Sequence, residues 1–126
     1  MIYTVTLNPA IDYVVGVDNI KTGTVNRTSE EQVFFGGKGI NVSRVLSELD
    51  VKSVATGFIA GFTGKALKEE MQKFGIETLF TELPDGFSRI NIKIKSDEET
   101  EINGQGPIVS EEYLDKFLDS LSVLKE

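Results

Sequence analysis

The sequence predicts an α/β protein with two separate sheets, a parallel core sheet and a smaller sheet covered on one side. Patterns typical of strands alternate with patterns typical of helices between Val33 and Glu82. This order implies right-handed crossovers and a parallel sheet. Elsewhere, short strands with one apolar and one polar face indicate a second sheet.

The predicted core elements follow the chain in order. Ile2 to Leu7 is rich in β-branched residues and ends at Asn8-Pro9, which predicts a strand and then a break. A helix follows, and Val51 to Ala60 predicts a buried strand. Thr63 is placed to cap a second helix, and Ile76 to Thr81 predicts the next strand. The predicted buried faces of the two helices are Val42, Val45, Leu46 and Leu49, and Leu67, Met71 and Phe74.

Three other segments predict the second sheet: Asp12 to Val17, Gln32 to Phe35, and Arg89 to Asn103. The clearest alternation runs from Arg89 to Lys95 and predicts a half-buried antiparallel strand. A half-covered sheet beside a compact core suggests a lid, or an interface that a partner covers. Ser110 is placed to cap a final helix. Its apolar positions are Leu114, Phe117, Leu118, Leu121 and Leu124.

The composition excludes several kinds of function. The 126 residues are 40% hydrophobic and 26% charged, as in ordinary globular domains, and the net charge is −7. This charge argues against nucleic acid or an anionic membrane as a general partner. Because cysteine and histidine are absent, acid–base chemistry would have to use carboxylates, lysine or tyrosine. The first residues lack the features of a signal peptide, which predicts a cytoplasmic protein.

The stretch from Phe34 to Arg44 contains three glycines and one lysine at the entrance to the first helix. Glycines let the backbone approach a ligand, and a helix N-terminus offers unpaired N–H groups and a positive dipole. Lys38 adds a charge, and Asn41 adds an amide that can donate and accept. Two interpretations stay open on these residues alone: a site for an anionic or polyhydroxyl ligand, and a tight turn that allows close helix–strand packing.

The familiar nucleotide fingerprints do not fit the chain. The dinucleotide pattern requires glycine three residues after Gly39, where the sequence has Val42. Gly64-Lys65 resembles the end of a P-loop, but the first glycine of that motif would fall at Ile59 and its hydroxyl residue at Ala66. We therefore reject both motifs.

Other polar residues have ordinary explanations when the chain is considered alone. Asp12 suits a turn or cap, and Arg27 and Arg89 suit solvated charges on a loop and a polar strand face. Glu30-Glu31 and the acidic run from Asp97 to Glu99 suit solvated surfaces, with metal binding as a minor alternative.

Several segments together resemble the PfkB/ribokinase carbohydrate kinases, in particular their sugar-phosphate branch. The matching segments are Thr6 to Asp12, Gly36 to Arg44, Gly61 to Gly64, and Arg89 to Asn91. Their spacing agrees along the whole chain, which makes the set specific although each segment alone is weak. The resemblance implies a ribokinase-like doubly wound core, here its N-terminal half, with a small β-sheet lid formed by residues about 12–35 and 87–104.

The resemblance also implies a function and a set of site residues. The expected reaction is ATP- and Mg²⁺-dependent phosphorylation of a ketohexose phosphate, with fructose 1-phosphate preferred over tagatose 6-phosphate. The lids of two subunits often clasp each other in such kinases, which implies a homodimer. Asp12 and Asn41 would bind sugar hydroxyls, and Lys38 and Arg89 would hold the phosphate already on the substrate. The complete set of expected substrate-binding residues is Asp12, Arg27, Gly36, Gly37, Lys38, Asn41 and Arg89.

One departure from the family pattern is serious. The second family signature, Gly-Ala-Gly-Asp, carries the catalytic aspartate, and it does not occur in these 126 residues. We therefore expect no catalytic residue in this chain, and we expect the ATP-binding half to be missing. The alternatives are that the chain is a non-catalytic module for sugar-phosphate binding or dimerisation, or that Asp12 acts as the base.

Overall fold

The structure, a computed structural model, describes residues 1–124. The strands are β1 (Ile2–Thr6), β2 (Ala10–Gly16), β3 (Glu30–Gly36), β4 (Ser53–Ala60), β5 (Glu77–Leu83), β6 (Arg89–Lys95) and β7 (Glu99–Asn103). The helices are α1 (Lys38–Glu48), α2 (Gly61–Lys73), α3 (Glu111–Ser120) and a short 3₁₀ helix (Leu121–Leu124). None of the helices in this part of the chain is long and apolar enough to cross a membrane.

The core sheet contains three parallel strands in the order β1-β4-β5. Its central strand β4 is buried at every position, because helices cover both of its faces. Ala55 faces α1 and α2 and packs with Ile40, Leu67 and Met71. On the opposite face, Phe58 packs against Phe117 of α3, with ring centroids 4.9 Å apart. This confirms the predicted doubly wound arrangement.

The second sheet, called the lid sheet below, contains four strands in the order β3-β2-β6-β7. The expectation for β6 was half right: it is antiparallel to β7 but parallel to β2. Its polar side is also better buried than expected, because Asn91 has only 8% of its surface exposed. Ile11 and Phe35, at the base of the lid sheet, pack against the core. The lid sheet is therefore anchored at one end and projects from the core.

The predicted buried face of α1 is wrong. Val42, Val45 and Leu49 are exposed by 50%, 54% and 67%, respectively. The side of α1 that faces the sheet carries the fully buried Ser43, whose hydroxyl lies 2.7 Å from Thr4 Oγ1 and accepts a hydrogen bond from Ser53. The hydroxyl groups of Thr4, Ser43 and Ser53 thus hold α1 to the sheet together with the buried Ile40, while Val42, Val45 and Leu49 face outward.

The start of α2 also differs from the prediction. The helix begins at Gly61, and Thr63 is a buried residue within it that makes no cap. Its hydroxyl donates to the carbonyl of Ser88 at 2.7 Å, and the Ser88 hydroxyl accepts from the N–H of Ala60 at 3.1 Å. These two bonds fix the segment that leads into β6. The predicted face of α2 is otherwise right for Leu67 and Met71, while Phe74 is 37% exposed.

The final helix begins where expected, with Ser110 at its N-cap, but the Ser110 side chain makes no cap hydrogen bond. Only Phe117 of its predicted apolar positions is buried. Leu114 and Leu118 are exposed by 42% and 54%. As with α1, part of an apolar helix face is left uncovered by the described residues.

Candidate sugar-phosphate site

The glycine stretch joins the lid sheet to α1. Gly36 ends β3, and Gly37 is the N-cap of α1 with φ of 135°. A Cβ atom at Gly37 would overlap the Thr6 side chain, and one at Gly39 would lie 2.6 Å from both Thr6 Oγ1 and the Val5 carbonyl oxygen. The close-packing interpretation therefore holds for these two glycines, whatever ligand lies beside them.

Thr6 limits the anion site that the helix N-terminus could form. Its hydroxyl accepts a hydrogen bond from the N–H of Ile40 at 3.0 Å. The N–H of Asn41 makes the first regular bond of the helix, to the carbonyl of Gly37 at 2.9 Å, so it is not one of the unpaired donors. One of the donors expected at this helix start is thus satisfied within the protein. The exposed Lys38 side chain adds a positive charge beside the donors that remain.

Asp12 lies inside β2, where the register pairs it with Phe34 on one side and Asn91 on the other. Asn91 Nδ2 donates to Asp12 Oδ1 at 3.0 Å, and Lys93 Nζ lies 3.8 Å from Asp12 Oδ2. A Cβ atom at Gly36 would lie 3.0 Å from Asp12 Oδ2. Gly36 therefore makes room for this carboxylate, and Asp12 is not the simple turn residue that the sequence alone allowed.

Arg89 is tied to the chain segment that precedes β2. Its Nε donates to the carbonyl of Asn8 at 3.2 Å, and Asn8 Nδ2 in turn donates to the carbonyl of Gln105 at 3.0 Å. Because its Nε is held in this way, the Arg89 guanidinium is a positioned group rather than a freely moving surface charge. Its remaining N–H groups stay available to a ligand.

The structure brings most of the predicted site residues together. Ala10 is paired with both Gly36 and Arg89, and Asp12 lies two residues further along the same strand. Because alternate residues of a strand share a face, Asp12 and Arg89 lie on the same side of the lid sheet. Gly36 and Gly37 lead directly from this face to Lys38 and to Asn41, which is also exposed.

Arg27 is the exception among the predicted site residues. It lies in the exposed segment between β2 and β3 and, within residues 1–124, makes no ion pair or side-chain hydrogen bond. The sequence interpretation also missed residues. Asn91 and Lys93 reach Asp12, and the signal for them was the alternation that places them with Arg89 on the polar face of β6.

The other face of the lid sheet is mainly apolar. Cross-strand pairing places Val33, Tyr13, Ile92 and Ile102 in one row across all four strands. Beside this row, the Tyr13 hydroxyl donates to the Glu31 carboxylate. That hydrogen bond, together with desolvation and the negative charge of Glu31, raises the pKa of Tyr13 from its ordinary value. Tyr13 therefore adds a hydrogen-bond donor to this mainly apolar face.

The acidic runs named in the sequence lie on the surface of the protein. Within the described residues, no group of three or more acidic side chains is placed to hold a metal ion. Glu30, Glu31 and the residues from Asp97 to Glu99 are all exposed. Asp12, the acidic residue within the site, is already engaged by Asn91 and Lys93.

Comparison with known proteins gives the chain a family. Residues 3–126 match the family described as pfkB family carbohydrate kinase. The 1-phosphofructokinase of Bacillus subtilis is 49% identical over 126 residues, which are 100% of this chain and 41% of the relative. The D-tagatose-1-phosphate kinase of Bacillus licheniformis is 40% identical over 121 residues, 96% of this chain and 40% of the relative.

A solved structure shows that the fold is shared as well as the sequence. A Staphylococcus aureus protein with a provisional phosphofructokinase name superimposes with a TM-score of 0.90 at 45% identity, covering 96% of this chain and 39% of that one. The predicted ribokinase-like core with a small lid is confirmed. The chain spans about two fifths of the length of the relatives it matches, and it belongs to the pfkB family of carbohydrate kinases.

Proposed function

We propose that this chain forms the sugar-phosphate side of a cytoplasmic, ATP-dependent kinase that converts fructose 1-phosphate to fructose 1,6-bisphosphate. The observation that carries the proposal is the convergence of Asp12 and Arg89 on one face of the lid sheet, beside the α1 start that presents Lys38. A carboxylate next to two cations, in a chain of net charge −7, suits a polyhydroxyl ligand that already bears a phosphate.

Each residue has a proposed role. Asp12 accepts hydrogen bonds from sugar hydroxyls, and the Asn41 amide both accepts from them and donates to them. Gly36 and Gly37 let the backbone approach the sugar. Lys38 and Arg89 hold the substrate phosphate, since ammonium and guanidinium groups both form charge-assisted hydrogen bonds with phosphate oxygens. Arg27 reaches the phosphate of the substrate that is bound to the partner subunit. This agrees with its exposed position and with its lack of side-chain hydrogen bonds within residues 1–124.

The remaining half of the active site would come from sequence outside this chain. Because the Gly-Ala-Gly-Asp signature does not occur in these 126 residues, its aspartate and the groups that hold ATP and Mg²⁺ are proposed to belong to that sequence. The exposed stripe of α1, formed by Val42, Val45 and Leu49, supports this view. Beside it, β1 is an edge strand of a parallel sheet, and such sheets are normally buried. We propose that the missing half covers both features.

A phosphorylated tagatose is the second candidate substrate. The Bacillus licheniformis relative is named a D-tagatose-1-phosphate kinase and is 40% identical to this chain. Lys38 and Arg89 suit the phosphate of either sugar, so tagatose 6-phosphate also stays an alternative. A non-catalytic sugar-phosphate-binding module would use the same residues and differs only in lacking turnover.

The proposal is tested by measuring the binding of fructose 1-phosphate to the chain by calorimetry. Lys38→Ala and Arg89→Ala should each weaken binding by about 10- to 100-fold, because each removes a charge-assisted contact. Lys52→Ala is the matched control: it also removes an exposed lysine, but before β4, at the opposite end of the core sheet. Unchanged affinity in both site variants, or equal loss in the control, would refute the phosphate site.

We also propose that the apolar face of the lid sheet pairs with the lid sheet of a second copy. Val33→Asp should therefore shift the chain toward monomer in sedimentation equilibrium, because it places a charge in a desolvated interface. Val45→Asp on α1 is the matched control, since Val33 and Val45 are exposed by 55% and 54%. If Val45→Asp shifts the chain toward monomer and Val33→Asp does not, the two copies associate through a surface other than the lid sheet.

A further inference from the structure

Asn91 is a buried amide whose two polar atoms have very different surroundings. Its side chain sits on β6 with 8% of the residue exposed. Nδ2 donates to Asp12 Oδ1 at 3.0 Å, whereas Oδ1 is buried and has no hydrogen-bond partner within the described part of the chain. A buried acceptor without a partner is unfavourable for stability, so this amide requires an explanation.

The orientation of the amide is set by Asp12. Rotating the Asn91 amide by half a turn would bring its oxygen against Asp12 Oδ1 in place of the N–H donor. Two acceptors at that distance repel each other, so the rotated amide would lose its bond to Asp12. The observed orientation therefore gives the Asp12 carboxylate a hydrogen-bond donor and leaves the Asn91 oxygen without a partner among the described residues.

Among residues 1–124, no other side chain donates a hydrogen bond to this carboxylate. Lys93 lies 3.8 Å from Oδ2, and 41% of its side chain is exposed, so it is a flexible point charge rather than a fixed donor. Gly36 contributes only space beside Oδ2. The 3.0 Å hydrogen bond from Asn91 is the directional contact.

We propose that Asn91 is a positioning residue, which holds the Asp12 carboxylate in the orientation that binds the sugar hydroxyls. With Oδ1 fixed by Asn91, the plane of the carboxylate is defined and Oδ2 is presented beside Gly36, where the backbone leaves room. The inference rests on the proposed function, because it assigns a role to Asn91 through the ligand of Asp12. It adds a residue of β6 that does not touch the substrate itself.

The test replaces Asn91 with leucine, an apolar side chain of similar size. Asn91→Leu removes the bond to Asp12 and the unpaired buried oxygen, but it also leaves the Asp12 carboxylate, whose side chain is 20% exposed, without its directional donor. Because a largely buried charged acceptor without a donor is unfavourable, the melting temperature should fall. At a temperature where the variant is folded, the affinity for fructose 1-phosphate should fall by about tenfold, the typical effect of weakening a hydrogen bond between a carboxylate and a hydroxyl group. A residue with only a structural role would lower the melting temperature and leave this affinity unchanged.

A double-mutant cycle with Asp12→Ala, which removes the acceptor, shows whether the effect passes through Asp12. In the Asp12→Ala background, Asn91→Leu should cause no further loss of affinity. Unchanged affinity in Asp12→Ala itself would contradict the proposed function. A loss in Asp12→Ala together with unchanged affinity in Asn91→Leu, or additive losses in the double variant, would overturn the positioning role alone.

A measurement without ligand tests the contact directly. The side-chain amide protons of Asn91 should shift in the NMR spectrum of the chain when Asp12 is replaced by alanine, since Asp12 is their acceptor. Lys93→Ala should leave these protons nearly unchanged, because the nearest approach of Lys93 is to the other carboxylate oxygen. Absence of a shift in Asp12→Ala would overturn the inference even if the chain bound no sugar.

Discussion

The 126-residue chain is expected to bind fructose 1-phosphate and to transfer no measurable phosphate from ATP to it. The proposed site supplies binding groups for the sugar phosphate but neither the Gly-Ala-Gly-Asp aspartate nor a metal cluster. Loss of a general base and of electrostatic stabilisation at the transferred phosphate should leave turnover at least about 10⁴-fold below that of a complete kinase.

A chimera provides the comparison for this prediction. The chain would be extended by the part of Bacillus subtilis 1-phosphofructokinase that follows the matched segment, with 49% identity favouring a compatible junction. Phosphate transfer by the chimera, measured by coupled release of ADP, should appear while the short chain stays inactive. Transfer by the short chain alone would instead make Asp12 the candidate base. If the chimera folds and also fails to turn over, the non-catalytic module gains support.

Most of the core could be predicted because its signals are local. β4 is a continuous buried run, and Leu67 and Met71 of α2 repeat with the helical period. The strand and the helix can therefore both be recognised in the sequence. The face of α1 could not be predicted in the same way. Besides Ile40, its inner side is held by the hydroxyls of Thr4 and Ser43, which are residue types typical of the surface, while the exposed Val42 and Val45 are types typical of the core. An apolar stripe indicates burial without indicating which part of the protein covers it.

The candidate site was predicted only in part, for a different reason. Asp12 and Arg89 could be selected through the family resemblance, which depends on local motifs. The contacts of Asp12 with Asn91 and Lys93 depend on the pairing of β2 with β6, which are far apart in the chain. β6 was expected to be antiparallel only. Its parallel pairing with β2 and its register could not be predicted from the sequence, because they depend on contacts between distant segments.

Gly57→Ala is expected to have the largest effect on stability of any single methyl group added to this chain. Gly57 lies in β4 opposite Thr6 of β1, with φ of 142°. A Cβ atom there would overlap the Thr6 carbonyl oxygen, which belongs to the backbone and cannot rotate away. Steric strain and displacement of β1 together should cost about 3 kcal/mol or more in the free energy of unfolding.

Gly57→Ala should also affect the candidate site, because the hydroxyl of Thr6 accepts a hydrogen bond from the N–H of Ile40 at the start of α1. Moving Thr6 should displace this helix start and weaken the binding of fructose 1-phosphate even at temperatures where the variant is folded. Gly75→Ala is the control: it has a similar left-handed requirement, with φ of 71°, but its added methyl group would meet no atom within 4 Å. Urea unfolding should show a loss of only about 1 kcal/mol for the control. Equal losses in the two variants would mean that backbone conformation, rather than contact with Thr6, makes glycine necessary at position 57.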